Sequence, residues 1–203
     1  ESLGYRVAMI AQPVTDSDYM RFGAPKYGWW VTGGNIDSMV AHYTAAKRRR
    51  SDDAYTPGGR AGRRPDRAVT VYCRRIRALY PDAQIVTGGL ESSMRRFAHY
   101  DYWSDTVMPS ILVDSGADLL IYGMGEKQTE LIARALADGV PARAIRCRGV
   151  CYLTNQLDLP TDAVSVASYA KVRDNKLSFA KATRTLMDEQ DAVRGRKIIQ
   201  KQS

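Results

Sequence analysis

The chain has 203 residues, 44% of them hydrophobic, and a formal net charge of +8 with a pI near 9.5. That is one ordinary domain with room for a core. No apolar run approaches ~18 residues, and no charged-then-apolar leader opens the chain, so neither a transmembrane helix nor a secretory signal is expected. The cysteines, Cys73, Cys147 and Cys151, are odd in number and sparse, which argues against a disulfide scaffold and for a reducing, cytoplasmic setting. The basic balance suits a polyanionic partner such as RNA or a nucleotide. Because the chain opens on Glu1 and breaks off within a strand-like pattern after Gly195, it is expected to be a piece of a longer protein.

In chain order, the apolar run YRVAMIA at residues 5–11 predicts a buried first strand. Thr15 and Asp16 can cap a short helix carrying Tyr19, Met20 and Phe22 and stopped at Gly23. Trp29-Trp30-Val31-Thr32 predicts a second strand, ending in Gly33-Gly34-Asn35, and Asn35 is expected to cap a helix through Asp37, Met39, Val40 and Tyr43. Residues 47–67, KRRRSDDAYTPGGRAGRRPDR, form a long arginine-rich loop whose length implies either function or disorder. Pro65 fits the first position of a helix whose apolar face holds Val69, Tyr72, Ile76 and Leu79.

A third strand at 84–87 runs into Gly88-Gly89, and a short helix follows over 109–113, ending at Gly116. Asp118–Tyr122 reads as a fourth strand running into Gly123-Met124-Gly125-Glu126, with a helix after it that buries Leu131, Ile132, Ala135 and Leu136 and stops at Gly139. Residues 144–153 read as an edge strand or hairpin ended by Pro160. From Thr161 a single long helix is expected, ended by Gly195, and then a strand from Lys197.

Three breaks from strand to glycine, at 33–34, 88–89 and 123–125, each precede a helix. Such alternation gives a parallel sheet with helices on both faces, and right-handed crossovers bring the three loops to its carboxyl edge. One shared crevice walled by Gly33, Gly34, Gly88, Gly89, Gly123, Gly125 and Glu126 is the expectation. Just past the second loop stand Glu91, Arg95, Arg96, His99, Asp101, Tyr102 and Trp103, too mixed in kind for a plain turn, and they are taken as candidates for a substrate or partner site.

Other chemistries find little support. The YGMGE loop lacks the third glycine of a dinucleotide fingerprint, and no GxxxxGK[ST] occurs. Cys147 and Cys151 have no further cysteines nearby for an iron–sulfur cluster. His42 and His99 stand in no metal-binding spacing, and neither Ser92 nor Ser93 lies in a GxSxG turn. No metal site or catalytic residue is therefore assigned. The arginine loop, with Tyr43 and Tyr55 nearby, is a candidate RNA footprint.

The blocks GYRVAMIAQP, GGNIDSMVAHYT, KRRRSDDAYTPGGRAGRRPDRA, TGGLESSMRRFAHYDYWSD and SGADLLIYGMGE resemble the amino-terminal region of YgiQ-type radical SAM proteins. The resemblance runs from about Gly4 through Leu153 and more loosely to Ser203. It adds Asn35, Asp37, His42, Asp53 and Tyr55 to the candidate site. It also implies an accessory domain, without turnover of its own, preceding a radical SAM barrel that carries a [4Fe–4S] cluster and uses S-adenosylmethionine. The same pieces are similar to cobalamin-binding-type domains, but the motif DxHxxG is absent, so the fold and not the cofactor is carried over. The expected fold is α/β: a doubly wound, mostly parallel three-layer sandwich of the flavodoxin or cobalamin-binding type over residues 1–160, with the long helix and a connecting strand over 161–203. The alternatives are a module binding RNA or a nucleotide through loop 47–67, and a purely architectural docking domain.

Overall fold

The computed structural model describes residues 1–155, 161–191 and 193–203; Pro160, expected to end a segment, lies outside them. The centre is a four-stranded sheet in the order β1 (Trp29–Thr32), β2 (Ile85–Gly88), β5 (Leu119–Ile121), β6 (Val150–Cys151). The first three run parallel, and β6 closes the far side antiparallel to β5. Between β2 and β5 the chain makes a separate antiparallel hairpin of β3 (His99–Asp101) and β4 (Thr106–Met108).

Alternation along the strands fixes what lies on each face. Val31, Ile85 and Leu120 point to one side, where they meet Tyr19 of α1 (Asp16–Met20), Val69, Cys73 and Ile76 of α3 (Ala68–Leu79), and Ile111 and Leu112 of α5 (Ile111–Ser115). Val86, Leu119 and Ile121 point to the other, under Ile132 and Leu136 of α6 (Glu126–Ala137). The parallel strands are nearly continuous apolar runs because both faces are covered, the pattern of a parallel sheet.

Their order is sequential, so the chain crosses the same face twice, by α3 and α5, and changes face only after β5. The expected double winding about a reversal in strand order is not found among the described strands. Neither is the first strand. Residues 5–11 are irregular, and Val7 and Met9 are 59% and 85% exposed. The run is apolar enough for a core, but β1 stands at the sheet edge and no described strand pairs with residues 5–11.

Three further expectations are corrected. The cap of α2 (Ser38–His42) is Asp37, whose Oδ1 accepts from the N–H groups of Met39 and Val40; Asn35 is exposed upstream of it. Helix α3 begins at Ala68, not at Pro65, because Arg67 at its cap is left-handed, with φ of 52°. The single C-terminal helix is absent. Val164–Val166 forms β7 and pairs in parallel with β8 (Ile198–Gln200), a use that suits β-branched residues. The helical stretch between them splits into α7 (Tyr169–Asp174) and α8 (Lys176–Asp188) at Asn175, which is extended and caps α8 by accepting from Ser178 N–H at 2.8 Å. Val172 and Ala182 of this βααβ unit pack on Ala98 beside the hairpin, with Val107 of β4 against them.

The corrected first strand and the core strand give opposite expectations in urea unfolding. Ile85→Ala should lower stability by about 2–5 kcal/mol through the cavity it leaves. Met9→Ser should change it by no more than about 0.5 kcal/mol.

Candidate functional site

The three glycine loops do converge on the carboxyl edge. Gly88 and Gly89 after β2, and Gly123, Gly125 and Glu126 after β5, line one open cleft of about 470 Å³. Its floor is Thr32, Val86 and Ile121, and its outer wall is Trp30 of the edge strand. It opens on the face covered by α6, at the side of the sheet that α6 leaves bare. Gly89 is required here: its φ is +81°, and a Cβ would stand 2.5 Å from Thr32 Oγ1. Gly33 and Gly34 do not line the cleft. Gly33 instead presses against Glu91, where a Cβ would come within 2.6 Å of a carboxylate oxygen.

The polar residues gather on the opposite side of the same edge. Glu91 is 1% exposed, in α4 (Gly89–Met94). Its Oε2 accepts from Ser38 N–H at 2.9 Å and its Oε1 from Val69 N–H at 3.0 Å, so one carboxylate holds the first turns of α2 and α3. Such free N–H groups at helix starts are where a carboxylate binds best. Arg95 is ion-paired with Asp37; burial alone would lower the guanidinium's pKa, but the hydrogen bond to Asp37 and the charges of Asp37 and Glu91 more than offset this and leave it raised. Arg64 grips Asp53 with two bonds from Nη2, at 2.9 and 2.8 Å, and donates to Gly33 C=O at 3.0 Å. Burial alone would raise the Asp53 carboxyl, but Arg64, Thr56 and the Tyr55 N–H together hold it below the usual carboxylate range.

The hairpin joins this network. Asp101, at the end of β3, accepts from Arg67 Nη2 at 2.5 Å and from the N–H and hydroxyl of Ser104. Burial pushes its carboxyl up, and Ser104 and Arg67 more than reverse that, leaving its pKa lowered. Burial pushes the His99 imidazole down, against a hydrogen bond to Phe97 C=O. His42 and Tyr43 both meet Asp66, each at 2.7 Å. Tyr102 and Trp103 at the hairpin tip take up the arginine loop: Trp103 stacks at 5.3 Å on Tyr43, Lys47 sits over Tyr102, and Tyr102 donates to Ala45 C=O.

Loop 47–67 is therefore built into the fold, through bridges Tyr43–Arg49 and Asp52–Arg60 and a turn at Pro57–Gly59. Of its arginines, Arg64 and Arg67 are used internally, while Arg48, Arg60 and Arg63 face solvent. Tyr55 is 53% exposed, and Asn35 is exposed with no hydrogen bond or ion pair of its side chain among the described residues. Arg96 donates to Ser93 C=O and lies 5.0 Å over the Tyr122 ring.

The sequence candidates thus divide. Glu91, Arg95, Asp37, Asp53 and Asp101 are interior ties rather than groups facing a ligand. The glycine loops and Glu126 face open space, together with Trp30, Thr32 and Thr129, which sequence reasoning missed. Residue parity in the second strand was the available signal: Trp30 and Thr32 share the face opposite Val31. Between Arg67, Arg95, His99 and Asp114 the structure encloses only about 10 Å³, room for about one water.

Cys73 is in the core and its thiol is pushed up to about 12 by burial, as is that of Cys151 in β6. Among the described residues no group of three or more His, Cys, Asp or Glu is placed to hold a metal ion. No helix of the described residues is long and apolar enough to cross a membrane.

Glu91→Gln should cost about 1–3 kcal/mol in urea unfolding, because an amide offers only one oxygen to two buried N–H donors. Asp101 predicts an acid limb. Its folded pKa lies below the unfolded value of about 4, so its contribution is full above that pH and is lost as pH falls through the folded value. In stepwise urea titrations from pH 5 to pH 2, Asp101→Asn should be less stable than wild type at pH 5 and show a shallower fall below about pH 4.

The family model described as "Radical SAM N-terminal" matches residues 1–203. A UPF0313 protein of Clostridium botulinum is 48% identical over 204 residues, covering 99% of this chain and 32% of the relative. A UPF0313 protein of Clostridium perfringens is also 48% identical, covering 98% of this chain and 31% of the relative. The chain therefore spans about a third of the length of the curated relatives it matches. No solved structure matches. The resemblance first carried by the YTPGG, HYDYWSD and YGMGE blocks is thus shown over the whole length, and the chain belongs to the radical SAM N-terminal family.

Proposed function

We propose that this chain is the accessory α/β domain of a radical SAM enzyme and that its carboxyl edge docks against the remainder of the protein. On this reading the chain has no turnover alone, and the [4Fe–4S] cluster and S-adenosylmethionine belong to the part of the protein outside it. The observation that carries the docking edge is its exposed apolar surface. Leu90 and Met94, one turn apart on α4, are 49% and 68% exposed; Met124 between Gly123 and Gly125 is 83% exposed, and Trp30 is 40%. Large apolar side chains gathered around glycine loops mark an interaction surface.

The β7–β8 pair supports the same reading. A two-stranded parallel sheet is a poor structure alone, and each strand keeps one edge that no described strand pairs. We therefore take residues 161–203 as the connecting unit, tied to the hairpin on one side and available to the following domain on the other. The free cysteines suit the cytoplasm. An RNA-binding role for loop 47–67 draws less support, because Arg64 and Arg67 are turned inward.

The test is on the full-length protein, reconstituted anaerobically. Wild type should hold iron and sulfide and reductively cleave S-adenosylmethionine. The double variant Leu90→Asp, Met124→Asp should keep its iron, melt in two separated transitions and lose at least about tenfold in turnover, the equivalent of ~1.4 kcal/mol. An unchanged single transition with full turnover would discard the docking edge.

A further inference from the structure

We infer that the cleft on the carboxyl edge is a binding site for a nucleoside without a phosphate. The inference deepens the accessory-domain reading and rests on it for the cover that would close the cleft. At about 470 Å³ the cleft lies within the size range of small-molecule sites. Its chemistry is selective. Trp30 is the single aromatic residue lining it, and it is 40% exposed. No lysine or arginine lines it, although the chain carries a net charge of +8. An anionic ligand would find no cation there.

It would instead meet Glu126. This side chain is exposed and makes no hydrogen bond or ion pair among the described residues. It is the first residue of α6 and already answers the positive end of that twelve-residue helix. A free carboxylate accepts hydrogen bonds only. The partner it suits is a pair of vicinal hydroxyls, which is how an acidic residue near the carboxyl edge of an α/β sheet holds a ribose. Thr32 and Thr129 line the same cleft. A flat base lies well on an indole face. A ring for Trp30, a diol for Glu126 and uncharged walls together describe a nucleoside. Gly88, Gly89, Gly123 and Gly125 line the cleft without side chains, so a ligand can approach the backbone there.

The experiment is equilibrium dialysis of labelled adenosine against the full-length protein, with 5′-AMP and 2′,3′-dideoxyadenosine as competitors. Adenosine should bind at least about tenfold tighter than either. Trp30→Ala should weaken it by about 5–100-fold, the range that loss of one base–aromatic stack gives, and Trp30→Phe should restore most of the affinity. Glu126→Gln should weaken adenosine by about tenfold and leave the dideoxy analogue nearly unchanged. Circular dichroism of each variant checks that it is folded. Equal or tighter binding of 5′-AMP, or adenosine binding that Trp30→Ala does not alter, would overturn the site, the latter assigning the ligand elsewhere in the full-length chain. Failure of the docking reading reads differently: the Leu90→Asp, Met124→Asp variant would melt as wild type while adenosine binding kept its dependence on Trp30.

Discussion

One buried carboxylate organises the carboxyl edge. Glu91 joins three helices whose sequences lie far apart: it stands in α4, takes the N–H of Ser38 at the start of α2 and the N–H of Val69 at the start of α3. A carboxyl group this deeply buried is costly unless it is hydrogen-bonded, and here each oxygen takes an N–H at a helix start. The same requirement explains Gly33, since any side chain there would displace the carboxylate. Around it the ties repeat in kind. Asp37 and Arg95 tie the start of α2 to the end of α4, Asp53 and Arg64 tie the long loop to itself, and Asp101 and Arg67 tie the hairpin to the start of α3. A buried pair of this sort adds little net stability over an apolar contact, but losing one member is costly, so the pairs fix arrangement more than they add free energy.

The network and the cleft occupy opposite sides of one edge, and that separation assigns their roles. The charged residues are committed to one another and hold the long arginine-rich loop against the hairpin. The cleft is formed by residues with little charge and by backbone that glycine leaves uncovered. A reading from sequence tends to merge the two, because in the chain the GG pair and the Glu91–Trp103 cluster are continuous. In space α4 divides the two: Glu91 is buried on it, while Leu90 and Met94 are exposed.

Much of this was legible in the sequence, for identifiable reasons. Trp29–Thr32, Ile85–Gly88 and Leu119–Ile121 are short apolar runs ended by glycine, and each is a strand of the parallel sheet. The helices after them follow spacing and stop signals that local physics controls, such as Gly116 and Gly139 in the left-handed region. What could not be read depends on partners. Residues 5–11 have a strand's composition but no neighbour in the described sheet. Val164-Ser165-Val166 carried a strand signal of its own, which the apolar spacing of the following helices obscured; Asn175, a good cap, marked the division between them. The hairpin was hidden by its content, since Asp101, Tyr102 and Trp103 read as site chemistry while they end β3 and begin its turn, which closes with Asp105 at a φ of 55°. Whether a carboxylate faces a ligand or a helix start is a matter of tertiary placement, and no spacing in the chain records it.

The two glutamines of the last strand region give the molecule a mechanical link. Gln200 accepts from Ala98 N–H at 2.8 Å and Gln202 from Ser110 N–H at 2.9 Å, clasping the hairpin at both of its feet. Gln200 also donates to Ala167 C=O, so the clasp is fixed to the connecting unit itself. The hairpin in turn holds Arg67, the residue at the start of α3, through Asp101. A pull along β8 would thus not be absorbed by a slack linker. It would act on the hairpin as on the short arm of a lever, with the helix start and the loop stacked on Trp103 as the load.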